Sequence, residues 1–481
     1  MALPVGGALR GDRPAHRPRH DSVSRIHARL PLRRAAGAVR PAGPPAGTAP
    51  ARRAQVGSHG GRFVVTTLPV AQQPARRPLL RFLLAELRPK GPLLTPFNLI
   101  SVPVILLGIG ILVQRFIYGL GSVTNLSQAY PWGLWIGFDV VTGVAFAGGA
   151  YVLTFVVYVM RLEKYHPIVR ATVLNGLLAY VFYAGALVLD LGRPWNVINP
   201  IIGNSFGYNS VLFLVSWHFL LYMLTEVLEF SPAVAEWLGW KRARRILSAM
   251  TLGAVIFGVT LSTLHQSGLG ALFLMAKPKI HPLWYTEFIP ILFFASSIFA
   301  GLSMVILEGS ISERVFRAQL DRKKHGSHDD LLLGLGKGAA ISLFVYYFFK
   351  LLVFLHDRQW DLLQTGWGAW YLVEVLGFVL VPCVLFTYAV RNRRVGLLRV
   401  AAAGALIGIL LNRLNISIIA FNWQEPVRYF PSWQEYVVTA TVIFTEIWVF
   451  RWIVLRLPVL REAHELPPPR PADFASPGQA A

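Results

Sequence analysis

The sequence predicts an all-α integral membrane protein, a bundle of about ten transmembrane helices with both termini cytoplasmic. Three observations predict it: an apolar composition, a series of apolar runs of bilayer-crossing length, and a lopsided distribution of loop cations. Of the 481 residues, 54% are hydrophobic and only 15% charged, and the mean hydropathy is +0.50. That balance is too apolar for an ordinary soluble domain. Cys383 is the single cysteine, which excludes disulfides and cysteine-ligated Fe–S clusters within the chain.

The apolar runs, each about the 20 residues that cross a hydrocarbon core, fall at 97–120, 132–160, 167–190, 209–230, 246–267, 287–311, 331–356, 367–390, 397–420 and 433–457. Gly108, Gly110, Gly148, Gly149, Gly404 and Gly408 lie inside them. Small residues at such positions let helices approach closely, so packing is their expected role. Together the runs define a transmembrane domain over 95–460.

Loop cations set the orientation. Loops 161–170, 231–245, 312–330 and 391–399 hold 16 Lys and Arg, against 5 in the opposite set. The first set is therefore cytoplasmic, together with both chain ends.

The two ends differ in character from the bundle. Residues 1–90 hold 17 Lys and Arg against 3 Asp and Glu, so +14 of the net +22 lies there. Segment 1–94 is rich in Arg, Pro, Ala and Gly without apolar periodicity, and reads as disordered, as does the tail 461–481. Its basic run suits anionic lipid, but it carries no folded motif for nucleic acid, and no nucleic-acid partner is expected. No methionine occurs between Met1 and Met160. A functional tail and a start codon assigned too far upstream are both consistent with that.

The stretch 263–290, TLHQSGLGALFLMAKPKIHPLWYTEFIP, concentrates polar chemistry where two apolar runs reach the same side. The fifth run ends in His265 and Gln266, a Gly-rich connection follows, and His281, Trp284, Tyr285 and Glu287 precede the sixth run. Polar groups beside hydrocarbon are costly unless paired or hydrated. A binding site explains the cluster, and so does an aromatic belt with ordinary loop polarity. The outward ends also collect Trp135 and Asp139, Asp190 and Arg193, His356 and Asp357, Trp370 and Glu374, and Asn412, Arg413 and Asn415. Tyr180, His218 and Glu446 fall midway, while Glu226, Glu229 and Glu308 lie nearer the cytoplasm. Ionisable residues inside membrane helices usually pair, and Arg413 is expected to form a structural ion pair with Glu374 or Glu446.

Several chemistries can be weighed against this set. An intramembrane haem needs two imidazoles at matched depth, and His218 is read as the sole midway histidine, so no haem is expected. No loop has metal-ligand spacing or a phosphate-binding glycine pattern, and neither a metal site nor a catalytic side chain is assigned. A proton-coupled transporter fits the buried carboxylates but would show an internal repeat, and none is clear. A quinone fits better. Its carbonyls need donors such as His and Tyr, with aromatic walls and a proton supply.

The motifs GLGSVTNLSQAYPWGLWIGFDVVTG (119–143), YHPIVR (165–170), LDLGRPWN (189–196), NSVLF (209–213) and EFSP (229–232) carry a resemblance. TLHQSGLGAL (263–272), KIHPLWY (279–285), VILEGS (305–310) and FPSWQEYVVTATVIFTEI (430–447) continue it. Over about residues 95–460 the chain resembles the NrfD/polysulfide reductase membrane-subunit family, and within it the HybB-type membrane subunits of nickel–iron uptake hydrogenases.

The resemblance implies a haem-free membrane subunit that does not itself activate hydrogen. It implies a periplasmic ferredoxin-like Fe–S subunit and hydrogenase small and large subunits as partners, within membrane lipid. Electrons would pass to menaquinone or ubiquinone in the outward half, in some members with proton translocation. Asp139, Arg170, Tyr180, Asp190, His265, His281 and Glu308 sit in matching motifs. On that basis His265, His281 and Asp139, with Tyr285 and Trp135 beside them, form the expected quinone-binding set. Tyr180, His218, Glu229, Glu308 and Asp190 form the expected proton route, with Asp190 and Arg193 alternatively a structural pair. One departure is Leu214, where some relatives have a glutamate, and His218 lies one helical turn along the same face. Alternatives are a membrane subunit of another redox complex, such as one of dissimilatory sulfur metabolism, a transporter, or a simple membrane anchor.

Overall fold

Ten apolar helices and one short one account for nearly all of the regular structure in the computed structural model, which describes residues 79–90, 94–202, 209–316 and 325–460. The short helix is α1 (Leu79–Glu86). The ten long and apolar enough to cross a membrane are α2 (Pro96–Tyr118), α3 (Trp135–Val159), α4 (Glu163–Asp190), α5 (Val211–Trp237), α6 (Lys241–Leu274), α7 (Ile289–Val315), α8 (His328–Asp357), α9 (Gly366–Arg391), α10 (Val395–Ile419) and α11 (Trp433–Val454). Among the described residues there is no strand, only an isolated bridge between Ile280 and Phe421. The chain is a multi-pass integral membrane protein.

Local chemistry sets the helix starts. Thr95 Oγ1 accepts from Asn98 N at 3.1 Å ahead of Pro96, whose fixed φ suits a first helical position. At α11 a reciprocal capping box forms: Ser432 Oγ accepts from Glu435 N at 3.3 Å, and Ser432 N donates to Glu435 Oε2 at 2.8 Å.

Helices α3 and α7 form the centre. Their apolar windows are 78% and 61% buried, against 22% for α2 and for α5. They can approach because glycines meet: a Cβ on Gly301 would lie 2.1 Å from Gly149 N. Gly108 likewise makes room for Thr441 of α11, and Gly408 for the Phe378 carbonyl, whereas Gly110 meets no neighbour among the described residues. The outer helices turn large apolar side chains outward, as with Leu99, Ile100 and Leu106 of α2. That is the surface a bilayer requires.

Two sequence expectations change. Helix α6 does not end at 267 but runs to Leu274, so Gly268 and Gly270 are helical. Their bare Cα atoms admit Val215 and the backbone of Pro290, and close approach rather than turning is their purpose. His265 and Gln266 are therefore buried inside the bundle, roughly 13 Å from the helix end at 1.5 Å per residue. Within the stretch expected to be disordered, Leu79–Glu86 is helical and held in place: Phe82 lies 5.2 Å from Trp237, and Arg456 Nε donates to Glu86 O at 2.6 Å. Of the expected disordered ends, 1–78, 91–93 and 461–481 lie outside the described residues.

Four π-helical segments interrupt the spans: Trp135–Val140 and Phe155–Val159 in α3, Val373–Leu380 in α9 and Asn415–Ile419 in α10. Such segments redirect side chains and recur at functional sites. Three of them carry Asp139, Glu374 and Asn415.

Candidate functional site

Glu374 is the hub of one buried network. Its carboxylate contacts Lys350 Nζ from α8 and accepts from Asn412 Nδ2 at 2.9 Å, Asn415 Nδ2 at 2.6 Å and Trp284 Nε1 at 2.7 Å. A buried carboxylate is tolerable only with such compensation. The cation on Glu374 is thus Lys350, not Arg413. Arg413 is one step removed: it donates to Asn412 Oδ1 at 2.9 Å and Ser296 Oγ at 2.7 Å, with its guanidinium 3.4 Å from the Phe293 ring centre. Glu446 stands in a different part of the bundle.

The loop between α6 and α7 is pinned above this hub. His281 N donates to Ala420 O at 2.9 Å, and Leu283 N donates to His281 Nδ1 at 3.2 Å. The imidazole sits in a box of indoles, 4.7 Å from Trp423, 5.1 Å from Trp367 and 5.6 Å from Trp284. Burial lowers its pKa to about 4, so the ring is neutral, and the Leu283 bond assigns the proton to Nε2. His281 is the loop's fastener. Trp284 then reaches down to Glu374, while Tyr285 faces a cavity, its phenol pKa raised by burial and by Glu287.

That cavity has two parts. A vestibule of about 360 Å³ is lined by Lys277, Tyr285, Glu287, Phe288, His356 and Asp357 among others. An inner chamber of about 30 Å³ reaches Phe293, Tyr346, Lys350, Tyr371 and Asn412. Both are bounded by Pro282, Tyr285, Thr286, Asp357 and Gln359, so the smaller continues the larger inward. The vestibule is in the range of small-molecule pockets, whereas the chamber is about water-sized.

A second polar set lies between α4, α5 and α6. The Tyr180 ring is 4.7 Å from Tyr222, 5.2 Å from Phe219 and 5.7 Å from His265. His265 Nδ1 lies 3.3 Å from Val215 O, and Gln266 donates to Val144 O at 2.9 Å. Four neighbours here have buried polar atoms without a well-formed hydrogen bond: Tyr180 Oη, Ser262 Oγ, His265 Nε2 and both oxygens of Glu226. Glycines make room for the acids, since a Cβ on Gly176 would lie 2.6 Å from Glu226 Oε1 and one on Gly258 2.9 Å from Glu229 Oε1. His218 stands near His265 and is only half-buried.

A third set surrounds Tyr183. Asp139 accepts from Thr439 Oγ1 at 3.1 Å through Oδ2, and its Oδ1 has no hydrogen bond. Asp190, Glu446 and Glu308 are its acidic neighbours or theirs, with Asn175 beside Glu308. The cation beside Asp190 is Arg115 of α2, whose Nε donates to Leu189 O at 2.8 Å, rather than Arg193. Trp135 donates to Glu435 O at 3.2 Å on this side.

The expected quinone set is therefore divided. Tyr285 lines the cavity, His281 supports its rim, His265 belongs to the second set, and Asp139 and Trp135 to the third. The expected proton route is also split, with Tyr180, His218 and Glu229 in the second set and Asp190 and Glu308 in the third. Sequence reasoning missed Lys350, Tyr346 and Tyr371. A lone lysine inside YYFFKLLVF was the available signal, because an ionisable residue at that depth demands a partner. Among the described residues no group of three or more His, Cys, Asp or Glu could hold a metal ion.

Comparison with known proteins returns consistent neighbours. The model of the family described as polysulphide reductase, NrfD, matches residues 122–422. A Nitratidesulfovibrio vulgaris protein is 43% identical over 372 residues, spanning 77% of this chain and 96% of its own. The probable Ni/Fe-hydrogenase 2 b-type cytochrome subunit of Escherichia coli is 31% identical over 373 residues, 77% of this chain and 94% of that one. The integral membrane subunit of menaquinone reductase from N. vulgaris is 29% identical over 354 residues, 66% of this chain and 79% of that one.

Proposed function

The chain belongs to the polysulphide reductase NrfD family of bacterial inner-membrane proteins, and from that premise we propose that it is the quinone-reactive subunit of a hydrogenase-type respiratory complex. The hydrogenase and menaquinone reductase subunits among its relatives support membership of a multisubunit redox assembly. In this reading a periplasmic ferredoxin-like Fe–S subunit docks on the end bearing His281 and Asp357. It delivers electrons that originate in hydrogenase small and large subunits, and both termini of this chain are cytoplasmic.

One observation carries the quinone assignment: the two-part cavity beneath the His281 loop, with Tyr285 and Phe288 on its walls and the Lys350–Glu374 network at its floor. It joins an aromatic surface to buried hydrogen-bond donors, as a quinone head requires. Photolabelling of the assembled complex with an azidoquinone tests the site. Adducts in 282–293 and 346–359 are expected. Labelling confined to peptides around His265 or Asp139 would move the site to the second or third set, and no saturable labelling at all would leave only a membrane tether.

The second set supports proton movement as part of the same reading. Tyr180, Ser262, His265 and Glu226 are adjacent and buried, with Tyr222 beside the Glu226 carboxylate and Ser262 and Gln266 beside the Tyr180 hydroxyl, which suits a relay continuing to Glu229. Asp190 and Glu308 supply a parallel acidic line around Tyr183. No haem is carried over from the E. coli relative's name. His218 and His265 are neighbours, so unmatched depth does not by itself exclude one. The support lies in side chains: Tyr180 and Phe219 cover the His265 ring at 5.7 and 5.3 Å, and a macrocycle would have to displace both.

A further inference from the structure

We propose that Lys350 is the residue that hydrogen-bonds an oxygen of the substrate quinone, and that Glu374 holds its ammonium at the floor of the chamber. This deepens the cavity reading above and rests on it. Lys350 is 6% exposed, lies in a run of aromatic and aliphatic residues, and lines the inner chamber. A structural duty toward Glu374 does not explain its charge, because three neutral donors, Trp284, Asn412 and Asn415, already bind that carboxylate. Buried ion pairs are commonly replaceable by apolar side chains without loss of stability.

Geometry supplies the reason for a cation. An ammonium has three N–H donors. Glu374 takes one, the Tyr346 hydroxyl takes a second, and the Tyr371 ring centre is 5.2 Å away, so a single N–H is left. The remaining capacity faces the chamber that Lys350 lines. That chamber, about 30 Å³, admits an oxygen-bearing edge but not a ring, whereas the 360 Å³ vestibule admits the ring. A quinone held in the vestibule and neck, between Tyr285 and Asp357, would point one oxygen inward to Nζ. A hydrogen bond from a charged donor to that oxygen is about twice as strong as a neutral one. Because lysine offers only donors, the contact favours the carbonyl of the oxidised quinone.

The test uses the assembled complex and a short-chain naphthoquinone, comparing wild type with the neutral double variant Lys350→Met/Glu374→Gln and with Lys350→Arg. The double variant removes the ion pair without leaving a lone charge. Assembly is expected to be retained, with quinone affinity weaker by about tenfold or more. Equal affinity in the double variant, with azidoquinone labelling of the cavity retained, overturns the role of Lys350 and leaves the cavity reading intact. Absence of cavity labelling in the wild type overturns both. Should the double variant fail to assemble, Lys350→Arg decides, since it keeps a cation on Glu374 but fills the chamber. A raised KM is expected there, and an unchanged KM overturns the proposal.

Discussion

The Asn415 side-chain amide donates to Glu374 Oε2 at 2.6 Å, and both residues sit in π-helical segments of adjacent spans. The bond therefore joins two local irregularities that each turn a polar group inward. Asn415→Ala removes one of the two donors on Oε2 and leaves Trp284 as the other. A loss of about 1–3 kcal/mol is expected, read as a lowered melting temperature of the detergent-solubilised protein. Combined with Trp284→Phe the cost should exceed the sum of the single changes, because both donors serve one oxygen. Strict additivity would mean that the two bonds are independent.

His281 gives the loop a defined acid sensitivity. Its folded pKa is about 4, below the unfolded value near 6.5, so the fold favours the neutral ring. The stabilisation is full above about pH 6.5 and declines as pH falls toward 4, when the unfolded ring gains a proton the folded one resists. Hydrogen exchange across 275–288 should accelerate as pH is lowered through that window, after correction for intrinsic exchange. His281→Asn should flatten the response, and an unchanged profile in that variant would reassign the sensitivity.

Glu226 separates proton movement from electron transfer. Glu226→Gln keeps the shape but removes the exchangeable acid. In proteoliposomes the expected result is quinone reduction near the wild-type rate with proton translocation lost. Concerted loss of both activities would place Glu226 in the electron-accepting chemistry or in folding instead. Gly176→Ala tests the same location from α4, since its Cβ would meet Glu226 Oε1 at 2.6 Å and Ala150 at 2.5 Å. Overpacking of about 1–3 kcal/mol is expected.

The helix crossing at Gly301 should be intolerant. An added Cβ would lie 2.1 Å from Gly149 N, against backbone that cannot swing aside as a side chain can. Gly301→Ala is expected to sharply reduce membrane accumulation of the protein, whereas Gly110→Ala, facing open space, should be silent.

The histidines predict an optical result. With Tyr180 and Phe219 packed on His265, the purified chain should give no pyridine haemochrome bands. A stoichiometric b-type spectrum, abolished by His265→Ala, would replace this description of the second set.

Much of the fold was legible because the bilayer imposes length and hydropathy on each span. All ten apolar runs correspond to observed helices. What the sequence concealed was depth and partnership. Gly268 and Gly270 resemble a turn in one dimension, and only the approach of Val215 and Pro290 reveals them as packing positions, which displaced His265 from the surface to the interior. Lys350, Arg115 and Asn412 became partners through contacts 24 to 76 residues apart along the chain, and no spacing rule encodes these. The π-segments were invisible for a related reason: they depend on how neighbouring spans draw the backbone, not on a composition of their own.

Those segments make α3, α9 and α10 sensitive to insertion and deletion in an unusual way. A π-turn holds slightly more chain than an α-turn, so removing one residue from Val373–Leu380 could restore a regular helix. The helix on either side would keep its facing, and the residues of the wide turn itself would be re-aimed. Glu374 would then leave its four donors while hydropathy and span length stayed almost the same. Single-residue indels here would thus preserve insertion into the bilayer and erase the polar wiring, an outcome that a count of apolar residues would never foresee.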